Sequence, residues 1–338
     1  MDTLSHALLG AAIGQSIMGR PLGNKALLAG AAIALVPDID VAIGHLLGDA
    51  AALTFHRGIT HSLLFSALLA LLLGWLLSRL VSTAASRTRW TLFSAAVLLS
   101  HLTLDTFTSY GIQLLLPFSD HSFALASVSV IDPLFTLPLL FTVLAIPWLG
   151  RHKPERNRLA VAGIVWVTAF LALTLANKHH VTRQFEQGFA AADIRVERLF
   201  VKPTVFNNLL WRAIAETETG YQVGFYSLRD HQLPGDFVYF PRNEPLLEGL
   251  ADSAVVQDLL KVSEGFYQVV DEGGQLLFRD LRYGQAFEWL RDDRPHVFTY
   301  RLIMDDGKVV NMETLNLRVD RERDGETFAA LVARAGGL

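Results

Sequence analysis

The chain has 338 residues, of which 51% are hydrophobic and 18% are charged, and its formal net charge is −4. Its mean hydropathy of +0.33 is too high for an ordinary soluble enzyme. The net charge, and the lack of a basic stripe with interleaved aromatic residues, exclude a general nucleic-acid-binding surface. The absence of cysteine excludes disulfides and thiolate ligands, so any metal must be held by His, Asp and Glu.

Six apolar segments in the first half predict a membrane bundle of about six helices, at residues 4–19, 24–36, 62–81, 90–104, 130–149 and 158–177. Only the third, fifth and sixth reach the roughly 20 residues that a spanning helix needs. The first two are expected to be short tilted spans, a re-entrant hairpin or helices buried among the others. We assign residues 1–178 to this membrane-embedded domain.

Basic residues are distributed on one side of this predicted bundle. If all six segments cross, three connections fall on one side, and the positive-inside rule makes that side cytoplasmic. These connections hold Arg20, Lys25, Arg79, Arg87, Arg89, Arg151, Lys153, Arg156 and Arg158. We therefore predict a multi-pass protein whose N-terminus and C-terminal domain both lie on the outer side.

The second half is mixed, charged and punctuated by Gly and Pro. Short alternating runs at 211–228, 265–270, 275–281 and 296–310 predict strands, and one helix is expected near 251–262. Residues 179–338 are thus predicted to form a small soluble domain that is mostly antiparallel β or α+β.

Polar clusters stand at the outer ends of the apolar segments. In "MDTLSH", Asp2 and His6 are four residues apart and share a helix face if the helix starts early. In "VPDID", Asp38 and Asp40 point the same way if the stretch is extended.

Two further clusters follow along the chain. In "HRGITHS", Gly58 is expected to allow a tight turn, so that His56 and His61 converge. In "SHLTLDTFTSYG", His101, Asp105 and Ser109 are spaced i, i+4, i+8 along one helical stripe.

Together these clusters predict a metal centre at one membrane face. Carboxylates without basic partners at such a depth would become neutral, whereas divalent cations would keep them ionised. One or two ions are expected, with zinc as the first choice and manganese or iron as alternatives. The predicted ligands are His6, Asp38, Asp40, His56, His61, His101, Asp105 and Asp132. The alternative, residue by residue, is an interfacial histidine, or a helix cap or turn for Asp2 and Asp38.

Catalytic roles are predicted for Arg57, Asp40 and Ser109. The guanidinium of Arg57 can hold two oxygens of an anionic substrate at once. The alternative for Arg57 is charge balance for the aspartates.

These residues resemble a known family, the YdjM-type membrane-bound, predicted metal-dependent hydrolases of bacteria. The resemblance rests on "MDTLSHALLGAAIG", "PDID", "HRGITHSLL", "HLTLDTFTSYGIQLLLPFS" and "IDPLF", which together cover roughly residues 1–150. The later "PTVFNNLLWRAIAETETGYQVGFYS" is similar to a C-terminal extension found in some members. The resemblance implies an inner-membrane hydrolase. The order of ligands is also loosely similar to the zinc-dependent phospholipase C group, whose later His and Glu ligands have no match here.

The function predicted from these features is metal-dependent hydrolysis at the outer face of the inner membrane, with a water activated by the metal as nucleophile. A phosphoester of a lipid or lipid-linked molecule is the expected substrate, since the site lies at headgroup depth. A metal transporter or sensor is the alternative, and it would need ligands across the bilayer midplane. A non-catalytic envelope protein is the third hypothesis, and it leaves the cluster of His and Asp residues unexplained.

Overall fold

The structure of the protein is a computed structural model that describes residues 1–48, 52–53, 55–285, 288, 295–315 and 324–337. The chain divides into two compact units. The first comprises Met1–Ile43, Phe55–Ala176 and Val205–Asn208, and the second comprises Gly44–Thr54, Asn177–Thr204 and Leu209–Leu338. The first unit is helical and the second is built mainly from β-strands.

The helices of the N-terminal half are α1 (Thr3–Leu22), α2 (Lys25–Ala34), α3 (Ile39–Leu47), α4 (Leu63–Leu80), α5 (Arg87–Phe107), α6 (Pro133–Ala145) and α7 (Glu155–Ala191). Short 3-10 helices occupy Ile59–His61 and Ile146–Trp148. Four side chains cap helix starts by accepting backbone N–H groups, and these are Asp2 on α1, Ser62 on α4, Ser86 on α5 and Asp132 on α6.

Each predicted apolar segment forms a helix, but the prediction of about six apolar membrane helices was wrong. Among the described residues, only α4 and α7 are long and apolar enough to cross a membrane. Helices α2 and α6 are too short, with 10 and 13 residues. Helices α1 and α5 have 20 and 21 residues, but they carry the polar side chains of the site.

Two local predictions also differ from the structure. The stretch "VPDID" is not extended, because α3 begins at Ile39 and places Asp40 in its first turn. Helix α5 ends at Phe107, so Ser109 does not continue the helical stripe of His101 and Asp105.

Helices α1 and α2 approach each other closely at glycines. A Cβ atom on Gly10 would lie 2.5 Å from the carbonyl oxygen of Gly30, which is well inside van der Waals contact. A Cβ on Gly14 would likewise collide with the carbonyl of Ala26. Helix α1 also packs against α5 and α6, and the apolar faces of these helices form the core of the unit. This packing fixes the end of α2 beside α5, where the site lies.

The second unit contains two four-stranded antiparallel sheets, as the alternating runs predict. The first sheet has the order β1 (Arg198–Pro203), β2 (Leu210–Glu216), β3 (Gly220–Ser227) and β4 (Val238–Pro241). The second has the order β5 (Tyr267–Glu272), β6 (Gln275–Asp280), β7 (Thr299–Asp305) and β8 (Lys308–Thr314). Helices α8 (Ala254–Val262) and α9 (Asp324–Ala335) and a 3-10 helix at Glu244–Leu247 complete the described elements.

The turn between β7 and β8 shows why the sequence folds this way locally. Asp306 and Gly307 both have positive φ, at 50° and 73°. A two-residue hairpin of this handedness matches the twist of the strands, and Asp-Gly is one of its preferred sequences.

Candidate metal centre

Four potential ligands converge in the first unit from three segments of the chain. Asp38 lies in the turn between α2 and α3, and His61 ends the 3-10 helix Ile59–His61. His101 and Asp105 lie one turn apart on α5, near its end. One ligand atom of each residue lies within 4.8 Å of the others.

The distances between these atoms suit a common cation. The Nε2 atoms of His61 and His101 are 3.1 Å apart, and each lies 3.4 Å from Asp105 Oδ2. Asp38 Oδ1 is 3.5 Å from His61 Nε2 and 3.6 Å from His101 Nε2. Ligands about 2.05 Å from a tetrahedral zinc ion are separated by roughly 3.3 Å. The four atoms are therefore spaced as the first shell of one metal ion.

Both histidines present the nitrogen that a metal requires. His101 Nδ1 donates its hydrogen to the carbonyl oxygen of Ala34 at 2.7 Å. His61 Nδ1 faces two acceptors, Thr60 Oγ1 at 3.0 Å and Asp40 Oδ2 at 3.2 Å. With the proton held on Nδ1 in each ring, both Nε2 atoms carry a lone pair toward the centre. Two facing lone pairs repel each other unless a metal ion or a shared proton lies between them.

The side chain of Asp105 is a second indication that the site binds a cation. It is fully buried, and its Oδ2 accepts no hydrogen bond from any residue that the structure describes. Its Oδ1, in contrast, is contacted by His6 Nε2 at 3.2 Å, by Arg57 Nη2 at 3.3 Å and by the amino group of Met1. A buried carboxylate oxygen without a donor is costly unless it binds a cation.

Asp40 holds the ligand loop in place rather than facing the centre. Its Oδ1 is 3.0 Å from His56 Nδ1, and its Oδ2 accepts from Arg57 N at 3.0 Å and Thr60 Oγ1 at 2.7 Å. Burial raises the pKa of Asp40, but the hydrogen bonds from His56, His61 and Thr60 outweigh burial and keep the pKa well below its usual range. Asp40 is thus an ionised anchor behind His61.

The negative charge of the site also changes the pKa of His61. Burial by itself lowers this pKa, but the nearby carboxylates of Asp105, Asp38 and Asp40 outweigh burial and raise the pKa to about 10. The carboxylates therefore stabilise a positive charge at this position, which either a proton or a metal ion can supply.

The turn that brings His56 and His61 together is made by Arg57. Arg57 has a φ of 62°, whereas Gly58, the residue expected to make the turn, has a φ of −86°. The side chain of Arg57 is 8% exposed, donates from Nη1 to Thr108 Oγ1 at 2.9 Å and lies 4.9 Å from the centre of the Tyr110 ring. With Nη2 beside Asp105, these contacts favour the charge-balance alternative for Arg57.

The other predicted site residues lie outside the group of four. His6 stacks on His101 with ring centres 3.8 Å apart. His56 is bound to Asp40, as described above. Asp132 caps α6 by accepting from Leu134 N at 2.9 Å. Ser109 is buried just beyond the end of α5. Asp2, the weaker candidate, caps α1 by accepting from Ser5 N at 3.0 Å.

Sequence reasoning missed three supporting groups, namely the hydroxyls of Thr60 and Thr108 and the carbonyl of Ala34. Thr60 had a local signal, since it directly precedes His61 and can reach a shared partner. The carbonyl of Ala34 had no such sequence signal, because any residue at the end of α2 would present a carbonyl group.

The helices and the buried His and Asp residues define a helical unit with a candidate cation centre. The chain belongs to the family described as YdjM inner membrane protein, which matches residues 1–181. This confirms the predicted family and, at the level of the family, the inner membrane. The finer topology stays a prediction.

Two relatives accompany this match. The chain is 35% identical over 123 residues to "Inner membrane protein YbcI" of Escherichia coli (strain K12), covering 36% of this chain and 69% of YbcI. It is 26% identical over 236 residues to "Uncharacterized protein YfhP" of Bacillus subtilis (strain 168), covering 66% of this chain and 68% of YfhP. No solved structure matches the chain significantly.

Proposed function

We propose that the protein is a metal-dependent hydrolase of the inner membrane that binds one divalent ion through Asp38, His61, His101 and Asp105. The observation that carries the metal site is the pair of Nε2 atoms 3.1 Å apart, beside a buried carboxylate oxygen without a hydrogen-bond donor among the described residues. Two nitrogen and two oxygen ligands suit zinc, manganese or iron.

Access to the proposed ion comes from the side of Asp38. Its side chain is 22% exposed, whereas those of His61, His101 and Asp105 are at most 1% exposed. The four residues would hold the ion, and Asp38 would be the ligand beside which water and substrate reach it.

When bound, the metal supplies a Lewis acid and lowers the pKa of a water molecule toward neutrality. The chain itself supplies a group to take the proton. His56 Nδ1 is turned to Asp40 Oδ1, which leaves Nε2 of this 26% exposed side chain as the acceptor. A carboxylate that orients a histidine in this way is a common arrangement for a general base.

The substrate class that we propose is a phosphoester of a lipid or lipid-linked molecule. It is supported by the family's location in the inner membrane and by the position of His61, two residues before the candidate span α4 begins at Leu63. Arg57 is proposed to act mainly as a positioning residue, because its Nη atoms are engaged by Asp105 and Thr108. The substrate clamp is its alternative role.

A metal transporter is less well supported. Among the described residues, one group of potential ligands is present, and a path across the bilayer would need a series of them.

The test uses the full-length protein, purified in detergent, depleted of metal and reloaded with zinc, manganese or iron. Metal content is measured by elemental analysis, and hydrolysis is measured with bis(p-nitrophenyl) phosphate and with phosphatidylglycerol vesicles. Asp105→Asn should lose both the metal and the activity. The matched control Asp2→Asn changes a helix cap outside the group and should keep both.

The two parts of the proposal fail separately. A wild-type protein that binds no metal would remove the site. A metal-loaded protein that hydrolyses neither probe would leave the metal site and overturn the proposed phosphoesterase activity.

A further inference from the structure

A second concave site lies in the first unit, at the opposite end of α1 and α5 from the metal centre. It is a cavity of about 700 Å³. Six basic residues line it, namely Arg20, Arg89, Arg151, Lys153, Arg156 and Arg158, and its lining contains no Asp or Glu. The separation follows from helix geometry, because Arg20 is 14 positions after His6 on α1 and a helix rises about 1.5 Å per residue. The two sites are therefore roughly 20 Å apart along α1.

The central cation of this pocket is Arg156, which is 2% exposed. Its Nη1 donates to the carbonyl oxygens of Ile146 and Leu149, and its Nη2 donates to Gln15 Oε1 and Asn24 Oδ1. All four acceptors are neutral, and its Nε has no hydrogen-bond partner among the described residues. The guanidinium is held in place while its charge is left without a counter-ion.

The neighbouring arginines Arg89 and Arg151 also donate only to neutral acceptors among the residues that the structure describes. Arg89 donates from Nε and Nη2 to the carbonyl oxygen of Ile17, and Arg151 donates from Nη2 to that of Pro21. Within the described part of the chain, none of the six basic residues of the pocket forms an ion pair. Several fixed cations around a concave space, without a carboxylate, favour a multiply charged anion.

The predicted topology puts the pocket at the cytoplasmic face of the membrane. Arg20, Arg89 and Arg151 come from the three connections that the charge distribution assigns to the cytoplasmic side. The cytoplasmic leaflet carries anionic phospholipids, and basic residues near it bind their headgroups. Arginine is well matched to phosphate, because its planar guanidinium can donate two parallel hydrogen bonds.

We propose that this pocket binds a phosphate group, supplied by the headgroup of an anionic phospholipid or by a free phosphate ion. The site is separate from the metal centre and does not depend on hydrolase activity. Its volume is within the range of pockets that enclose small ligands.

The experiment compares two double variants of the full-length protein with wild type in a neutral detergent. Arg151→Gln with Lys153→Gln removes two exposed cations of the pocket without touching the buried Arg156. Arg79→Gln with Arg87→Gln is the matched control, since it removes the same charge from basic connections outside the lining. Each protein is equilibrated with mixed micelles of phosphatidylglycerol and phosphatidylcholine, and retained lipid is counted by native mass spectrometry. Binding of inorganic phosphate is measured separately by calorimetry.

We expect wild type and the control to retain phosphatidylglycerol over phosphatidylcholine, and the pocket variant to retain it at least tenfold less, since each basic residue near an anionic headgroup contributes about fivefold. Phosphate binding lost in the pocket variant, without lipid retention, would identify the free ion as the source. Equal losses in both double variants would overturn the proposal, because the effect would then be one of general charge. Wild type that neither prefers phosphatidylglycerol nor binds phosphate would overturn it as well.

Discussion

The Nε2 atoms of His61 and His101 lie 3.1 Å apart, while the Nδ1 atoms of both rings face acceptors of the protein. His101 is held by a main-chain carbonyl of α2, and His61 by side chains of its own loop and of α3. Two separate elements therefore set the positions of the two nitrogens. With both protons on Nδ1 the two Nε2 lone pairs face each other, and either a metal ion or one proton shared between the nitrogens stabilises this pair.

This arrangement distinguishes His61 from His56. We expect His61→Ala to lower metal affinity by more than a hundredfold, because it removes a ligand nitrogen from the first shell. His56→Ala should lower the metal affinity tenfold or less, because His56 lies outside the group of four and supports His61 through Asp40 and by edge-on ring packing. Metal competition with a chelator on both variants measures the difference. Equal losses would show that His56 is itself a ligand.

The pattern of residues predicted part of this site. His101 and Asp105 were predictable as partners, because four residues on a helix place two side chains on one face. The different roles of Asp38 and Asp40 were not, because they depend on α3 starting at Ile39, a boundary that "VPDID" does not reveal. The error at Ser109 has the same origin, since spacing on a helix holds only as far as the helix continues.

The fold was predictable to a similar degree. The strands of the second unit follow alternating runs, and alternation is a direct consequence of strand geometry. The number of membrane helices was overestimated, because an apolar segment becomes a helix both in a bilayer and in the core of a helical unit. Helix α7 also extends to Ala191, well beyond its apolar part, because polar residues continue a helix once neighbouring elements cover one face.

The predicted topology can be tested with reporter fusions. His61 lies just before α4 and His101 near the end of α5, and both belong to one centre, so α4 and α5 form a hairpin that turns at residues 81–86. Arg87 and Arg89 adjoin this turn, and Arg151 and Lys153 precede α7. The positive-inside rule makes both basic connections cytoplasmic and places the N-terminus and the residues after α7 outside. An alkaline phosphatase fused after Ala192 should be active, and a green fluorescent protein fused there should be dark.

The control for this test is a fusion within the first basic connection, after Ala84, where the two reporters should behave the opposite way. A fluorescent fusion after Ala192 would reverse the orientation and place the metal centre on the cytoplasmic side.

The glycines between α1 and α2 offer a test of the packing that supports the site. In Gly10→Ala, the new Cβ would lie 2.5 Å from the Gly30 carbonyl oxygen and 2.6 Å from Ala34 Cβ. Alanine favours an isolated helix by up to about 1 kcal/mol, but overpacking of this kind costs about 1–3 kcal/mol, so net destabilisation is expected.

Displacement of α2 by the new methyl group should also weaken metal binding, because the carbonyl of Ala34 orients His101. Thermal unfolding and metal competition measure the two effects. Gly235→Ala is the control, since nothing lies within 4 Å of its added Cβ. A Gly10→Ala protein as stable as wild type, with unchanged metal affinity, would show that the two helices can separate without cost.

We predict that the stability of the second unit falls in acid because of His296, independently of the metal centre. Burial, followed by the positive charges of Arg279 and Arg212, lowers the pKa of His296 to about 3. Its Nε2 has no hydrogen-bond partner among the described residues, and its ring packs edge-on against Phe240 with centres 5.8 Å apart. The folded unit therefore holds a neutral imidazole at neutral pH.

The sign of the effect follows from linkage. Between pH 6.5 and pH 3 the unfolded chain binds a proton at His296 and the folded chain does not, so the free energy of unfolding falls as the pH falls. The slope is about 1.4 kcal/mol per pH unit for one such group.

We expect His296→Gln, which is neutral throughout, to reduce this slope even if its stability at pH 7 is lower. Hydrogen exchange of strand amides in the second unit of the full-length protein, corrected for the intrinsic effect of pH, measures it. His231→Gln, at an exposed position, should keep the wild-type slope. An unchanged slope in His296→Gln would mean that His296 takes up its proton in the folded state.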